Sequence, residues 1–297
     1  MHPTLSLDSV EMKERHSSEL LSQLWHFPIF LIRRSRTQFE KASLIISVDV
    51  DVGSKELGLL NKGQNDKNVS SNLTEYSVGE IEQRVFFRFV NLFEDFEVPV
   101  TFAIRGQLLE VDSTIVDFIR DSPVNHDIGA HGYYHRSFTG LSRNEAEEEL
   151  GRLHVEMKRF NIIPKSFVFP RNHVAHLDLL MKYGYKCYRG TGSLLDACMR
   201  IEKQGVLFNI YPSLYVSQSL NSYILKKTLD ISIARRLPFH LWFHLWTFGQ
   251  EDKCVQKNIN KILIPTLDYA RRKERMGMLT FETMLSAAKK AEKYFDL

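Results

Sequence analysis

Cysteine is scarce in this chain of 297 residues: there are three, Cys187, Cys198 and Cys254, and none stands in a C-x-x-C pair. An odd count without that spacing argues against a disulfide framework or a structural zinc knuckle, and it fits a reducing compartment. Long apolar runs are missing too. No stretch reaches the ~18–20 apolar residues that a membrane span requires. The nearest, "LLSQLWHFPIFLIRRS" over residues 20–35, is interrupted by His26 and Pro28. Glu11, Glu14 and Glu19 precede it and no small-residue cleavage site follows, which argues against a secretory signal. It reads as an amphipathic helix burying one face. A weak membrane-surface contact through Trp25 and the following arginines is the alternative. "NVS" at Asn68 and "NLT" at Asn72 would be glycosylation acceptors only in a secreted chain, and we expect a cytoplasmic one. Charge of one sign is not in excess. The net value is +3 and the basic runs are short, so nothing points to a nucleic-acid partner. There is no repeat of fixed period and no low-complexity block.

What is present is an ordinary globular composition, 43% hydrophobic and 25% charged, which permits a sizeable core. The length allows one large domain or two small ones. Along the chain, short apolar runs alternate with amphipathic helices. "SLIISVDVD" reads as the first strand, and residues 59–73 as a polar surface loop. Over residues 77–96 Ile81, Val85, Phe86, Phe89, Val90 and Phe93 share a helical face, with Ser77 as cap. "VPVTFAIRG" is a second strand and residues 112–120 a short helix. "HDIGAHG" is a third strand. A helix over 142–160 follows, opened by the Ser142/Glu145 capping box. "KSFVFP" is a fourth strand, then a helix over 175–183 ended by Gly184, then "YKCYRG" as a fifth strand. Another strand is possible within "GVLFNIYPSLYVS". Residues 221–237 are helical, "PFHLWFHLW" is a strongly apolar strand, and 257–276 and 281–294 are helices. Strand–helix alternation is the signature of parallel βα units, in a barrel or a doubly wound sheet, and both keep their active sites at the strands' C-terminal ends.

Polar groups collect at those ends. In "SVDVDVG", Asp49 and Asp51 are two apart on a strand, so both point to one face, where they repel unless a cation lies near or water solvates the turn. His131 and His135, in "HDIGAHGYYH", are four apart, and Gly129 and Gly132 oppose a helix there. A strand end and tight turn would bring the two imidazoles together. Two histidines and one carboxylate, Asp51 or Asp49, make a common zinc triad, and imidazole favours zinc or another transition metal over magnesium or calcium. Arg171 and Asn172 follow Pro170. An arginine there can hold a carboxylate ionised, and Asn172 can equally cap a helix. His240 and His244 face one side of their strand. His244, nearer the C-terminal end, is the better functional candidate, and core packing is the alternative for both.

Taken in order, "SVDVD", "HDIGAHGYYH" followed by "FTGLS", "FVFPRN" and "HLWFH" resemble the NodB-homology polysaccharide deacetylases, carbohydrate esterase family 4. The resemblance spans residues 44–295 and leaves residues 1–40 as an N-terminal helical extension to a catalytic unit over 41–297. It implies a distorted (β/α)7 barrel and metal-dependent removal of N-acetyl or O-acetyl groups from a carbohydrate. It further implies Asp49 as base, Asp51, His131 and His135 as ligands of a divalent metal, most simply Zn2+, and His244 as general acid. Arg171 would attend Asp49. Tyr134, Asn172 and Trp246 are the expected substrate contacts, with packing the alternative for the aromatic rings. The chain departs from the family twice. Val168 stands two residues before the proline where an arginine is usual, and no aspartate that would orient His244 is found near "NIYPSLY". Other readings are a metal-dependent hydrolase of another C–N or phosphoester bond, and a non-catalytic glycan binder.

Overall fold

A computed structural model describes residues 39–51, 80–191, 199–249 and 252–295. The expected helix at 20–35, the loop at 59–73, the Ser77 cap, the sequons and Cys198 lie outside the described residues. Strand β1 (Ala42–Val50) is buried along its whole length. A strand covered on both faces reads as a nearly unbroken apolar run, and "ASLIISVDV" is one. It is the hub of the sheet. On one edge it pairs in parallel with β9 (Pro238–His244), placing Asp49 opposite His244. The other edge is shared: β10 (Leu279–Glu282) pairs with residues 42–45, and β2 (Thr101–Ile104) with residues 47–50. From β2 the sheet continues in parallel through β3 (Asp127–Ala130), β4 (Ser166–His173), β5 (Cys187–Thr191) and β7 (Leu207–Ile210). Antiparallel β6 (Ile201–Gln204) follows β7, and β8 (Leu214–Tyr215) lies beyond β9. The result is the curled α/β sheet expected, a distorted barrel. Among the described residues no ladder joins β8 to β6 or β7.

Alternation of side chains along β1 sorts two cores. Leu44, Ile46, Val48 and Val50 pack outward, in one cluster with Val85, Phe86, Phe89, Val90 and Phe93 of α1 (Glu80–Asp95). Ile45 points into the curl, with Ala103, Val168, Cys187, Phe208 and Ile210. That interior is plugged at the N-terminal end by Met284, Ala287, Ala288 and Ala291 of a helix over Met284–Phe295. Ser47 and Asp49 share the face of Ile45 and lie farther along the strand. The concave surface therefore passes from an apolar plug to polar groups at the strands' C-terminal ends.

The helices differ from expectation in three places. The segment after β2 forms α2 (Gly106–Val111) and α3 (Thr114–Asp121) rather than one helix. After β3, α4 (Arg143–Arg159) carries the expected Ser142/Glu145 capping box. Then come α5 (Leu177–Lys182) and α6 (Ser222–Arg235), whose Asn221 cap accepts from the Ile224 amide at 3.0 Å. The expected helix at 257–276 is α7 (Asp252–Asn258), a π-helical turn (Ile259–Leu263) and α8 (Ile264–Arg275). Phe281, expected in the last helix, lies in β10. Buried Leu279 and Phe281 alternate there with half-buried Thr280 and Glu282, a strand period too short to outweigh the helical pattern that follows. The last helix, α9, starts at Met284. No helix among the described residues is long and apolar enough to cross a membrane.

Phe102 of β2 ties the sheet to α1. Its ring meets Phe86 and Phe93 edge-on at 5.5 and 6.4 Å and His126 at 5.2 Å, fully buried. Phe102→Ala leaves a cavity in that cluster and lowers unfolding free energy by about 3–5 kcal/mol, read from urea denaturation at constant m.

Candidate functional site

The candidate side chains lie at or just past the C-terminal ends of β1, β3, β4, β5 and β9. Asp49 is the last inward residue of β1, and Asp51 follows immediately on the same face. Both are buried. Two carboxylates so close stay ionised only if cations share the space, and each finds its own. Asp49 accepts two hydrogen bonds from one guanidinium, Arg189 Nη1 to Oδ1 at 2.7 Å and Nη2 to Oδ2 at 2.5 Å. Asp51 Oδ2 accepts from His244 Nδ1 at 2.9 Å and lies 3.7 Å from His135 Nε2. Burial by itself would raise both acids. Arg189 and the nearby imidazoles outweigh it for Asp49, and His244, His135 and His131 for Asp51, so both lie below the usual carboxylate range.

The guanidinium against Asp49 corrects the expectation for Arg171, whose side chain is exposed. Arg189 is on β5, opposite Val168 in register. Adjacent parallel strands point opposed residues the same way, so the cation enters from the strand beside the position where the family's arginine is expected. Arg189 is 1% exposed and each of its three nitrogens has an acceptor. Nη1 also donates to Ser47 Oγ at 2.9 Å, and Nε to Asn172 Oδ1 at 3.3 Å. Its plane lies over the Trp242 ring, 4.3 Å from the centroid. Ser47 Oγ in turn contacts His240 Nε2 at 2.9 Å, and His240 Nδ1 contacts the Ile210 carbonyl at 3.3 Å. Donation by Nδ1 to that carbonyl leaves Nε2 to accept from Ser47. Burial pushes His240 down to about 3, so it is a neutral, satisfied core residue. Asn172 caps no helix. It is the next-to-last residue of β4 and supports Arg189.

His131 follows β3, with its amide on the Ile104 carbonyl at 2.9 Å. Its Nδ1 lies 2.8 Å from the Val168 carbonyl, which takes the ring proton there and turns a bare Nε2 inward. Gly132 and His135 are both left-handed, at φ 70° and 63°, and this tight turn brings the two rings to a 4.8 Å centroid separation. Burial, foremost, pushes both imidazoles below their ordinary value, so both are neutral. Among the described residues the buried Nε2 atoms of His131 and His135 have no hydrogen-bond partner. Ligand atoms of Asp51, His131 and His135 lie within 4.8 Å of one another. One anionic oxygen and two bare imidazole nitrogens in a buried cluster are the donor set of a divalent transition metal, so the residues present fit that group.

His244 lies 3.9 Å from Asp49 Oδ2 through Nε2 and is 17% exposed. Burial opposes its charged form, but Asp51 and Asp49 raise its pKa above the ordinary value. Trp246 stacks on it at 4.8 Å and 21°, and Trp242 meets it edge-on at 5.7 Å. The structure thus brings Asp49, Asp51, His131, His135, His244 and Trp246 together, with Asn172 one bond away. The hydroxyl of half-buried Tyr134 is held by Arg152. Sequence reasoning missed Arg189. Its signal was a lone arginine in an otherwise apolar strand. It also missed Glu149, buried on α4, whose Oε1 accepts from the Tyr133 and Tyr134 amides at 2.9 and 2.7 Å. Burial pushes Glu149 up to about 7 against those two bonds.

Residues 74–186 match the family model described as polysaccharide deacetylase. A curated relative, a peptidoglycan deacetylase of Helicobacter pylori, is 26% identical over 148 residues, 47% of this chain and 46% of the relative. The chain thus spans less than half the length of that relative. Among solved structures, a Mycobacterium smegmatis protein assigned to the polysaccharide deacetylases superposes with a TM-score of 0.67 at 14% identity, over 88% of this chain and 94% of that one. An allantoinase superposes with a TM-score of 0.61 at 14% identity, over 84% and 89%. Both likenesses are of fold.

Arg189→Met strands a buried carboxylate and lowers stability by about 3–5 kcal/mol, whereas Arg171→Ala stays within about 0.5 kcal/mol of the parent. Paired urea titrations at neutral pH check both. In the metal-free protein, His244 gains charge on folding. Its contribution is full below the unfolded value of about 6.5 and fades as pH rises through the raised one. Loss of that alkaline decline in His244→Gln, read from denaturation midpoints against pH, checks the sign.

Proposed function

We propose that the chain belongs with the polysaccharide deacetylases and is a metal-dependent hydrolase removing acetyl groups, N-acetyl foremost, from a carbohydrate. The observation that carries the reading is the convergence of two unpartnered, buried imidazole nitrogens with Asp51, beside a second carboxylate clamped by an arginine. Asp51, His131 and His135 would hold the metal, Zn2+ being the simplest choice for that donor set, which supplies Lewis acidity toward a water and toward the acyl oxygen. Asp49, kept anionic by Arg189, is the general base that takes the water's proton as the oxygen attacks the acyl carbon. His244, charged through its two acidic neighbours, gives a proton to the leaving sugar nitrogen as the C–N bond breaks. Its Nδ1 is oriented by Asp51, the role for which no aspartate was found near "NIYPSLY". Trp246, half-buried over His244, offers a ring face for a sugar. Asn172 and Tyr134 are the further substrate contacts we propose. Residues 41–297 form the catalytic unit, and the cysteine usage fits work in a reducing compartment.

A second reading has one observation in its favour. An allantoinase shares the fold over most of both chains, so the barrel by itself does not select a carbohydrate. Hydrolysis of a C–N bond in another substrate would use the same residues.

Zinc content and acetate release from N-acetylated oligosaccharides and nucleotide sugars test the proposal. His131→Ala and His135→Ala lose metal and activity together. Asp49→Asn keeps the metal and loses on the order of 10²–10⁴ in rate. An Asp49→Asn protein emptied of metal reverses the roles given to the two aspartates. Bound zinc without acetate release from any glycan favours the second reading.

A further inference from the structure

We infer that Glu149, which touches no reacting group, is a positioning residue that sets the affinity of the His131–His135 turn for its metal. The inference rests on the metal reading above. Two ligands four residues apart in a loop have no helix or strand to hold them. The turn between them is strained: His135 stands at φ 63°, in the left-handed region that non-glycine residues seldom enter. Such a conformation persists only where its surroundings over-determine it.

Those surroundings are specific. The amides of Tyr133 and Tyr134, in the middle of the turn, both donate to Glu149 Oε1, at 2.9 and 2.7 Å. The carbonyls of Gly132 and Tyr133 accept from the Gly106 and Gln107 amides that open α2, at 2.8 and 3.2 Å. The turn's backbone is thereby pinned from both sides, by α2 on its oxygens and by α4 on its hydrogens. Glu149 is 1% exposed, and a carboxyl taken out of water is costly unless it is hydrogen-bonded, as it is here to the turn. It approaches so closely that a Cβ at Gly132 would stand 3.2 Å from Oε1. Just past the turn, Arg136 pairs with Glu145 of the same helix at 3.2 Å. Groups that orient metal ligands from outside typically shift affinity by 10–100-fold when removed.

The test uses the full chain and Zn2+ alone, competed against a chromophoric chelator, with backbone amide exchange followed at Tyr133 and Tyr134. The wild type binds zinc. Glu149→Ala binds about 10–100-fold more weakly, with both amides deprotected. Glu149→Gln, which keeps a carbonyl oxygen to accept them, stays within a few-fold. Should the alanine variant not fold, Glu149→Asp, whose carboxylate is drawn back by one methylene, shows the same weakening. Thermal midpoints of the metal-free variants separate general destabilisation from a change at the turn. Wild-type zinc affinity in Glu149→Ala, with exchange accelerated, overturns the inference and leaves the metal reading standing. A wild type that binds no zinc removes the metal reading and the inference with it.

Discussion

A carboxylate inside a barrel has to be given a cation, and here one guanidinium does that for Asp49. The bidentate contact from Arg189 is what allows an ionised acid to sit almost fully out of water. It also recruits four strands. Ser47 and Asp49 come from β1, Asn172 from β4, Arg189 from β5, and Trp242 and His240 from β9. Each of Arg189's nitrogens has a protein acceptor, so the charge is desolvated without being left unsatisfied. The pair fixes how β5 faces β1 across the interior, and the curl of the sheet makes that approach possible.

The two aspartates that end β1 answer to different partners. Asp49 is turned toward Arg189 and Asp51 toward the imidazoles of His244 and His135. Alternation puts both on one face, and His244, 2.9 Å from Asp51 and 3.9 Å from Asp49, is a cation they share. Asp49 sits against a fixed guanidinium, and Asp51 among imidazoles. The same alternation leaves Ile45 two turns of the pleat below, against α9, so apolar packing begins where the polar network stops.

Most of the site was legible because its residues are arranged by short-range rules. Asp49 and Asp51 share a face by strand period, His244 lies at the C-terminal end of an apolar strand, and His131 and His135 are linked by a glycine turn. Arg189 was not legible, because its role depends on the β4–β5 register, and register is a long-range property. Arg171, adjacent to "FVFP", was the local choice. Strand β10 was hidden by its four-residue length beside a helical pattern. Glu149 left a faint trace. Ala146, Leu150, Leu153 and Met157 form the buried stripe of α4, and Glu149 falls on it, one acid among four in "EAEEE". An acid on an apolar stripe is a signal only once its neighbours across the loop are known.

Backbone strain gathers at the same mouth. Four of the seven non-glycine residues with positive φ among the described residues lie here: His135 and His176 follow β3 and β4, Arg171 and Asn172 fall in the last residues of β4, and the other three, Glu97, Asn161 and Arg236, follow helices. The register of β4 against β5 shifts between Val168 and His173. Two consecutive left-handed residues there break the strand's alternation: Arg171 turns out to solvent, and Asn172 reaches Arg189 Nε at 3.3 Å. A regular strand would have continued the pleat past Pro170 and denied that nitrogen its acceptor. The irregular end of β4 and the turn after β3 thus serve one purpose, and each is offset by hydrogen bonds to buried groups. Strain of this kind is tolerated where side chains must be aimed rather than merely packed.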